Sequence, residues 1–341
     1  MTQKLEQLYQ QTFNQSVNKI EKLKGDGSDR TIYRLFSRNK TVIGIHGKNI
    51  KENEAFIYLT NHFHNSNLPV PKILAEDLKN EIYLEEDLGD ETLFTWMSKQ
   101  RDMLSSDVSE TVKDMYKQVL SLLPIFQIKS GKEVDFAICY QHIEFGRESM
   151  MWDLHYFKQN SLNVFYKQQI DNWQLEKDFQ KLVNYILLAP HRYFLYRDFQ
   201  SRNIMIKDNK PHFIDYQSGR RGALQYDVAS LLYDAKANLP QDLREELLKT
   251  YLQEAKKHEE VDEEVFMKYF YEFALIRILQ ALGAYGFLGI VKNKPHFLKS
   301  IPFALKNLQI ILNKKRQLQE LPTLRKILTE LSQDEKLLEI K

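Results

Sequence analysis

One stretch constrains this chain more than any other: Phe194 to Gln217, FLYRDFQSRNIMIKDNKPHFIDYQ. Asp198 stands five residues before Asn203, and Ile204-Met205-Ile206 follow. Asp208-Asn209-Lys210-Pro211 then read as a tight turn, and His212-Phe213-Ile214 lead to Asp215. Asn and Pro between two apolar runs predict a short hairpin set between a loop and a terminal acid. Such a hairpin brings Asp198, Asn203 and Asp215 to one end of a small ribbon. Two carboxylates and an amide gathered this way suit an oxygen-seeking divalent cation and a hydroxyl awaiting deprotonation. Those are the needs of phosphoryl transfer. Taken singly, each residue reads more simply as a turn residue or local cap; only the set together points to this chemistry.

Length and composition leave room for this chemistry and remove other classes. At 341 residues the chain suits one large or two modest domains with an ample core. Its 48 Lys and Arg nearly balance 46 Asp and Glu, so no broad basic field for nucleic acid or membrane is expected. The single cysteine, Cys139, rules out an internal disulfide framework and reads as a small buried hydrophobe in a reducing cytoplasm. The opening MTQKLEQLYQQTF has no apolar signal core, so export is not expected. Phe273 to Val291 is nearly apolar, yet Arg277 and Gln280 interrupt it, and it reads as a core helix.

In chain order, an amphipathic helix over Thr2–Gln15 precedes strands at Asn18–Leu23, Thr31–Phe36 and Thr41–Ile45. Gly25-Asp26-Gly27-Ser28-Asp29 forms the first turn, either an ordinary hairpin or a loop laying backbone N–H groups over phosphates. A helix over Glu52–Asn65 ends at Leu68-Pro69-Val70-Pro71, and strands follow at Lys72–Leu74 and Ile82–Glu86. Helical spacing then dominates: Thr92–Gln100, Val108–Gln127, Ile138–Gln159, Leu162–Leu188, Asp242–Lys257, Glu263–Val291, Phe297–Asn313 and Thr323–Leu338. A further helix opens near Tyr226, where Asp227 suits a cap.

The form Arg-Asp-Phe-Gln-Ser-Arg-Asn-Ile-Met…Ile-Asp-Tyr-Gln resembles the aminoglycoside phosphotransferase superfamily. Within it, the chain looks like the bacterial kinases that phosphorylate N-acetylmuramate and N-acetylglucosamine at the anomeric hydroxyl. The resemblance implies an α+β, bilobal, protein-kinase-like fold. Residues 1–90 would form a small sheet lobe that binds nucleotide, and residues 91–341 a larger helical lobe carrying catalysis and substrate. It implies ATP and Mg²⁺ as cofactors, Asp198 as base, and Asn203 and Asp215 as metal ligands. Gly25, Gly27 and Ser28 would cover the phosphates, Glu85, Glu86 and Asp87 would form the hinge near 85–90, and Asp227 would brace the catalytic loop.

Two departures stand out: Tyr196 replaces the usual histidine, and Tyr-Gln replaces Phe-Gly after the metal acid. The third strand, moreover, has no lysine where the kinase pattern places one. Lys48, Arg30 and Arg34 are the candidates for that charge, with Glu54 as helix partner if Lys48 serves. Arg197 is expected to brace the loop. For the acceptor, Arg202, Gln217 and Arg220 suit an anionic sugar, and Glu144 and Asp153, on a stretch with Glu148 and His155, suit sugar hydroxyls. Each also reads as an ordinary surface or bracing residue. The expected function is thus an ATP-dependent sugar kinase of cell-wall recycling, with a small sugar substrate and a possible downstream nucleotidyltransferase. The alternatives are a kinase of an aminoglycoside, a choline-like amino alcohol or another small metabolite, or a nucleotide-binding regulator with reduced catalysis.

Overall fold

The computed structural model describes residues 1–23, 30–100, 108–314 and 320–340, so the predicted phosphate loop at Gly25, Gly27 and Ser28 lies outside the described residues. The first part of the chain runs α1 (Thr2–Phe13), β1 (Lys19–Lys22), β2 (Thr31–Phe36), β3 (Thr41–His46), α2 (Ile50–Asn65), β4 (Ile73–Asp77) and β5 (Ile82–Glu86). The strands form one antiparallel sheet in the order β1-β2-β3-β5-β4.

Alternation along β3 explains why both faces of this sheet are covered. Val42 faces a cluster with Leu5, Leu8 and Tyr9 of α1, whereas Ile43 and Ile45 face Phe56, Leu59 and Phe63 of α2. Gly44 lies on the α1 side, where a Cβ would come within 2.8 Å of Leu35 Cδ1 and 3.0 Å of Leu5 Cδ2. Helix α1 therefore rests directly on the strand. Asn49 caps α2 by accepting from Glu52 N at 3.3 Å. The helix then starts two residues earlier than its apolar spacing suggests.

Helices dominate the remainder: α3 (Leu93–Gln100), α4 (Glu110–Pro124), α5 (Arg147–Phe157), α6 (Asn163–Phe165) and α7 (Asn172–Ile186) come first. A central segment holds β6 (Tyr193–Leu195), β7 (Ile204–Lys207), β8 (Lys210–Phe213) and β9 (Arg220–Gly222). Then follow α8 (Gln225–Leu232), α9 (Gln241–Ala255), α10 (Glu263–Gly286), α11 (Ile301–Lys314), α12 (Pro322–Ser332) and α13 (Glu335–Leu338). Helix α10 continues into a wider turn over Phe287–Val291. That span is long and apolar enough to cross a membrane, yet α10 packs among α5, α8 and α11, with Phe273, Leu275, Ile276 and Leu279 in the core.

Two predicted helices are shorter than expected. The one read over Ile138–Gln159 begins only at Arg147, because the chain before it pairs with β9. Phe145 N donates to Arg221 O at 2.7 Å and Arg221 N to Ile143 O at 2.9 Å. Those backbone groups are satisfied across the chain and not along a helix. The one read over Leu162–Leu188 is interrupted, and α7 restarts at Asn172 under a cap from Asp171, which accepts from Gln174 N at 3.0 Å.

Candidate active site

The predicted hairpin forms as β7–β8, but its turn is only Asp208-Asn209 (φ 53° and 56°), and Lys210 and Pro211, expected in the turn, open β8 with Pro211 opposite Ile206. Left-handed conformation at both turn positions matches the twist of the flanking strands. The ribbon is wedged between the two halves of the chain. Phe213 N donates to Pro69 O at 2.8 Å, Ile206 N to Glu91 O at 2.7 Å, and Lys207 Nζ to Glu86 Oε1 at 2.8 Å.

At its open end the three singled-out residues converge. Asn203 Nδ2 donates both to Asp198 O, at 2.9 Å, and to Asp215 Oδ2, at 3.0 Å. Ile214 N closes the group by donating to Asn203 O at 3.1 Å. The Asp198 carboxyl is raised above its ordinary range by burial and by Asp215, while Arg197, Arg277 and Arg220 pull it back. A carboxyl held in that way is a better proton acceptor than a free one.

The loop before Asp198 is held from beneath by Asp227 of α8. Its carboxyl accepts from Tyr196 N at 2.8 Å, Arg197 N at 3.0 Å and Gln127 Nε2 at 2.9 Å. Burial nevertheless pushes it up to about 7. Arg197 carries φ 79° and Asp215 φ 69°, left-handed conformations that are uncommon outside glycine. Arg197 is fixed there by its guanidinium, which donates to both oxygens of Asp153 at 2.9 and 2.6 Å. Tyr196, in place of histidine, sends its hydroxyl to Ile214 O at 2.6 Å, tying the loop that carries Asp198 to the residue before Asp215. Tyr216, next after Asp215, bonds Thr60 Oγ1 at 2.6 Å and stacks on Phe56, so α2 is tied to the same point.

Several expected residues are placed otherwise. The Asp153 side chain is 1% exposed and spent on Arg197, so it braces the loop and does not face an acceptor. Arg220 is buried and donates to Ser218 O, Ser149 Oγ and Gln141 Oε1, which closes it off from an incoming sugar. Glu144 pairs with Arg221 at 3.1 Å and lines an open depression of about 490 Å³ with Leu187 to Arg192, which includes none of the three central residues. Gln217 is buried and donates to Asp215 Oδ1 at 2.9 Å. Arg202 lies partly exposed over the Phe94 ring. Lys48 and Glu54 are exposed, and His46 Nε2 lies 3.2 Å from Glu81 Oε2.

Arg34 reaches the turn after β5, not Asp215: it meets Asp87 at 2.7 Å, Asp90 at 2.8 Å and Gly89 O at 3.2 Å. Burial works against the Asp87 carboxylate, but hydrogen bonds from Gly89, Thr41 and Arg34 leave it below its ordinary range. Glu85, on β5, turns inward; its Oε2 is shut from water and meets no donor among the described residues. Arg30 is the cation that reaches Asp215, at 3.0 Å from Oδ1, and its helix partner is Glu52 at 3.4 Å. Nothing in the sequence separated Glu52 from Glu54, since only the helix phase decides which of them faces inward.

No three His, Cys, Asp or Glu side chains among the described residues form a metal cluster by themselves. The set still fits a magnesium ion. Mg²⁺ is usually held by one or two protein oxygens with phosphates and water completing the shell. Asp215 is 36% exposed, Asn203 engages its neighbours through Nδ2, and the buried Gln217 Oε1 meets no donor among the described residues. Oxygen atoms thus remain for a cation on this side of the ribbon.

Comparison with known proteins agrees with this geometry. A family model described as the phosphotransferase enzyme family matches residues 19–264. An N-acetylmuramate/N-acetylglucosamine kinase from Pseudomonas aeruginosa is 24% identical over 303 residues, covering 87% of this chain and 84% of that protein. A protein of the same name from Neisseria meningitidis is 27% identical over 280 residues, covering 79% and 77%. Among solved structures, a choline kinase from Cryptosporidium parvum superposes with a TM-score of 0.61 at 16% identity, covering 96% of this chain and 100% of that one. The ADP-bound aminoglycoside phosphotransferase APH(2'')-Ib superposes with a TM-score of 0.57 at 12% identity, covering 99% of both chains. The chain belongs to the phosphotransferase enzyme family, has its kinase-like fold, and is an ATP-dependent phosphotransferase acting on a hydroxyl group.

Proposed function

We propose that the chain is a cytoplasmic kinase that moves the terminal phosphoryl group of ATP to the anomeric hydroxyl of N-acetylmuramate, N-acetylglucosamine or both. The observation that carries the chemistry is the hydrogen-bonded set Asp198–Asn203–Asp215, gathered at one end of the ribbon. The sugar is supported by the two relatives, whose names give that acceptor. The reading places the product in cell-wall recycling, available to a downstream nucleotidyltransferase.

In this reading Asp198 orients the sugar hydroxyl and takes its proton as the new P–O bond forms. A base placed in this way contributes roughly 10²–10⁴-fold in rate. Asn203 and Asp215 would hold Mg²⁺, which offsets charge on the phosphate oxygens. Asp227, Tyr196 and the Arg197–Asp153 pair fix the loop so that Asp198 need not reorganise during transfer. The hinge over Glu85–Asp87, steadied by Arg34 and Lys207, offers backbone groups to the base of the nucleotide. Arg202, partly exposed beside the loop, is the cation available to the lactyl carboxylate of N-acetylmuramate.

Incubation with labelled ATP, magnesium and a panel of sugars, aminoglycosides and choline tests the proposal. Transfer to the anomeric oxygen of an N-acetylated amino sugar is the expected result. Transfer only to an aminoglycoside or to choline defeats the sugar assignment, and nucleotide binding without turnover on any acceptor points instead to a regulator.

A further inference from the structure

The kinase pattern places a lysine on the third strand, and here that strand ends in His46, which is engaged by Glu81, followed by the exposed Lys48. The cation that meets Asp215 comes instead from just ahead of a different strand. Arg30 stands immediately before β2, its side chain only 9% exposed. One terminal nitrogen lies 3.0 Å from Asp215 Oδ1, Nε lies 3.4 Å from Glu52 Oε1 on α2, and the other terminal nitrogen lies 3.4 Å from the Tyr83 hydroxyl. The guanidinium also sits 5.7 Å from the Phe56 ring centroid. One side chain thus spans the sheet, α2 and the metal acid.

We propose, resting on the nucleotide-dependent function above, that Arg30 is the phosphate-binding cation of this enzyme and Glu52 its tether. Two features favour this over a purely structural latch. Arg30 shares Asp215 with Asn203 and Gln217, so that carboxylate does not depend on it for hydrogen bonds. A planar guanidinium also has donors on two edges, so one edge can stay on Glu52 while the other serves phosphate oxygens. An ammonium group is a single point of charge and fits that division less well. Burial alone would lower the guanidinium's pKa, but Tyr83, Asp215, Glu52 and Glu85 outweigh it, and the group keeps its proton throughout.

A latch and a phosphate receptor differ in how they treat nucleotides of increasing charge. The test is calorimetric binding of AMP, ADP and ATP, each with magnesium, to the full chain and to Arg30→Met, Arg30→Lys and Glu52→Gln. A lost charge-assisted contact should weaken ADP and ATP by roughly 10- to 100-fold in Arg30→Met, with AMP affinity within about twofold of wild type. Arg30→Lys should fall between the two and carries the same comparison if the methionine variant does not fold. Glu52→Gln should weaken ATP more than AMP, as the tether slackens. Equal losses for all three nucleotides, or none, overturn the assignment of Arg30 while leaving the kinase reading standing. Failure of the wild-type chain to bind any of the three overturns both.

Discussion

The Tyr196 hydroxyl, 2.6 Å from Ile214 O, joins the loop carrying Asp198 to the segment carrying Asp215. Tyr196→Phe leaves a half-buried carbonyl without its donor, at about 0.5–1.5 kcal/mol. Urea unfolding should show a loss of that size with the slope unchanged; an unaltered midpoint would mean the contact is energetically idle. Glu85 yields a pH-dependent prediction. Burial pushes its carboxyl up to about 8, Arg30 opposes the rise, and Asp87 and Asp215 add to it. The folded value thus lies above the ~4.3 of an unfolded chain. The stability gained by keeping that proton is full below the lower value and is lost as pH climbs towards about 8. Against Glu85→Gln, which has no such proton, wild type should lose unfolding free energy between about pH 5 and pH 8. Parallel pH profiles for the two proteins would contradict the assignment. At this scale the sequence named the acid-amide-acid set but misjudged the residues around it. Asp153 and Arg220 carry the charge that a sugar site needs, and their burial depends on Arg197 and Gln141, contacts that no local pattern reveals.

At the scale of elements, the legible parts are those written in short-range chemistry. The hairpin's turn residues and the β-formers of β3 follow from neighbours in sequence, whereas apolar spacing alone misses the capped starts of α2 at Ile50 and of α7 at Asn172. The start of α5 is overextended by the same reading because residues 143–145 ahead of it pair with β9, some eighty residues away in the chain. Strand β9 is itself three residues long and carries two arginines, so periodicity gives no sign of it. The turn at Asp208-Asn209 offers a direct check. Asn209 has φ 56°, so a β-branched residue there should destabilise the protein by roughly 1–2 kcal/mol, while glycine should be neutral or slightly stabilising. Thermal unfolding of Asn209→Val and Asn209→Gly measures this, and equal melting temperatures would show that the ribbon does not depend on its turn.

On the scale of the whole molecule, contacts between the sheet and the helical part converge on the site. Arg30 to Asp215, Thr60 to Tyr216, Lys207 to Glu86 and Phe213 N to Pro69 O all cross near the ribbon. A nucleotide seated between these parts should therefore stabilise the entire fold. At a hundredfold excess over its dissociation constant, magnesium–ATP should add about 2.7 kcal/mol to the unfolding free energy. A melting temperature unmoved by nucleotide would argue against a site there. The paired order of sheet and helices was legible because it rests on patterning, whereas which of Arg30, Arg34 and Lys48 reaches Asp215 was not. Arg30 precedes its strand and meets Glu52 and Asp215 only through the fold.

The role proposed for Asp198, taking the acceptor's proton while Asn203 and Asp215 hold the cation, is the step on which phosphate transfer turns. It is tested most directly by measuring phosphate transfer from ATP to N-acetylmuramate by wild type and by Asp198→Asn, with ATP affinity determined on the same preparations. Turnover should fall roughly 10²–10⁴-fold in the variant, with magnesium–ATP bound as tightly as before. Turnover by Asp198→Asn at the wild-type rate would contradict it.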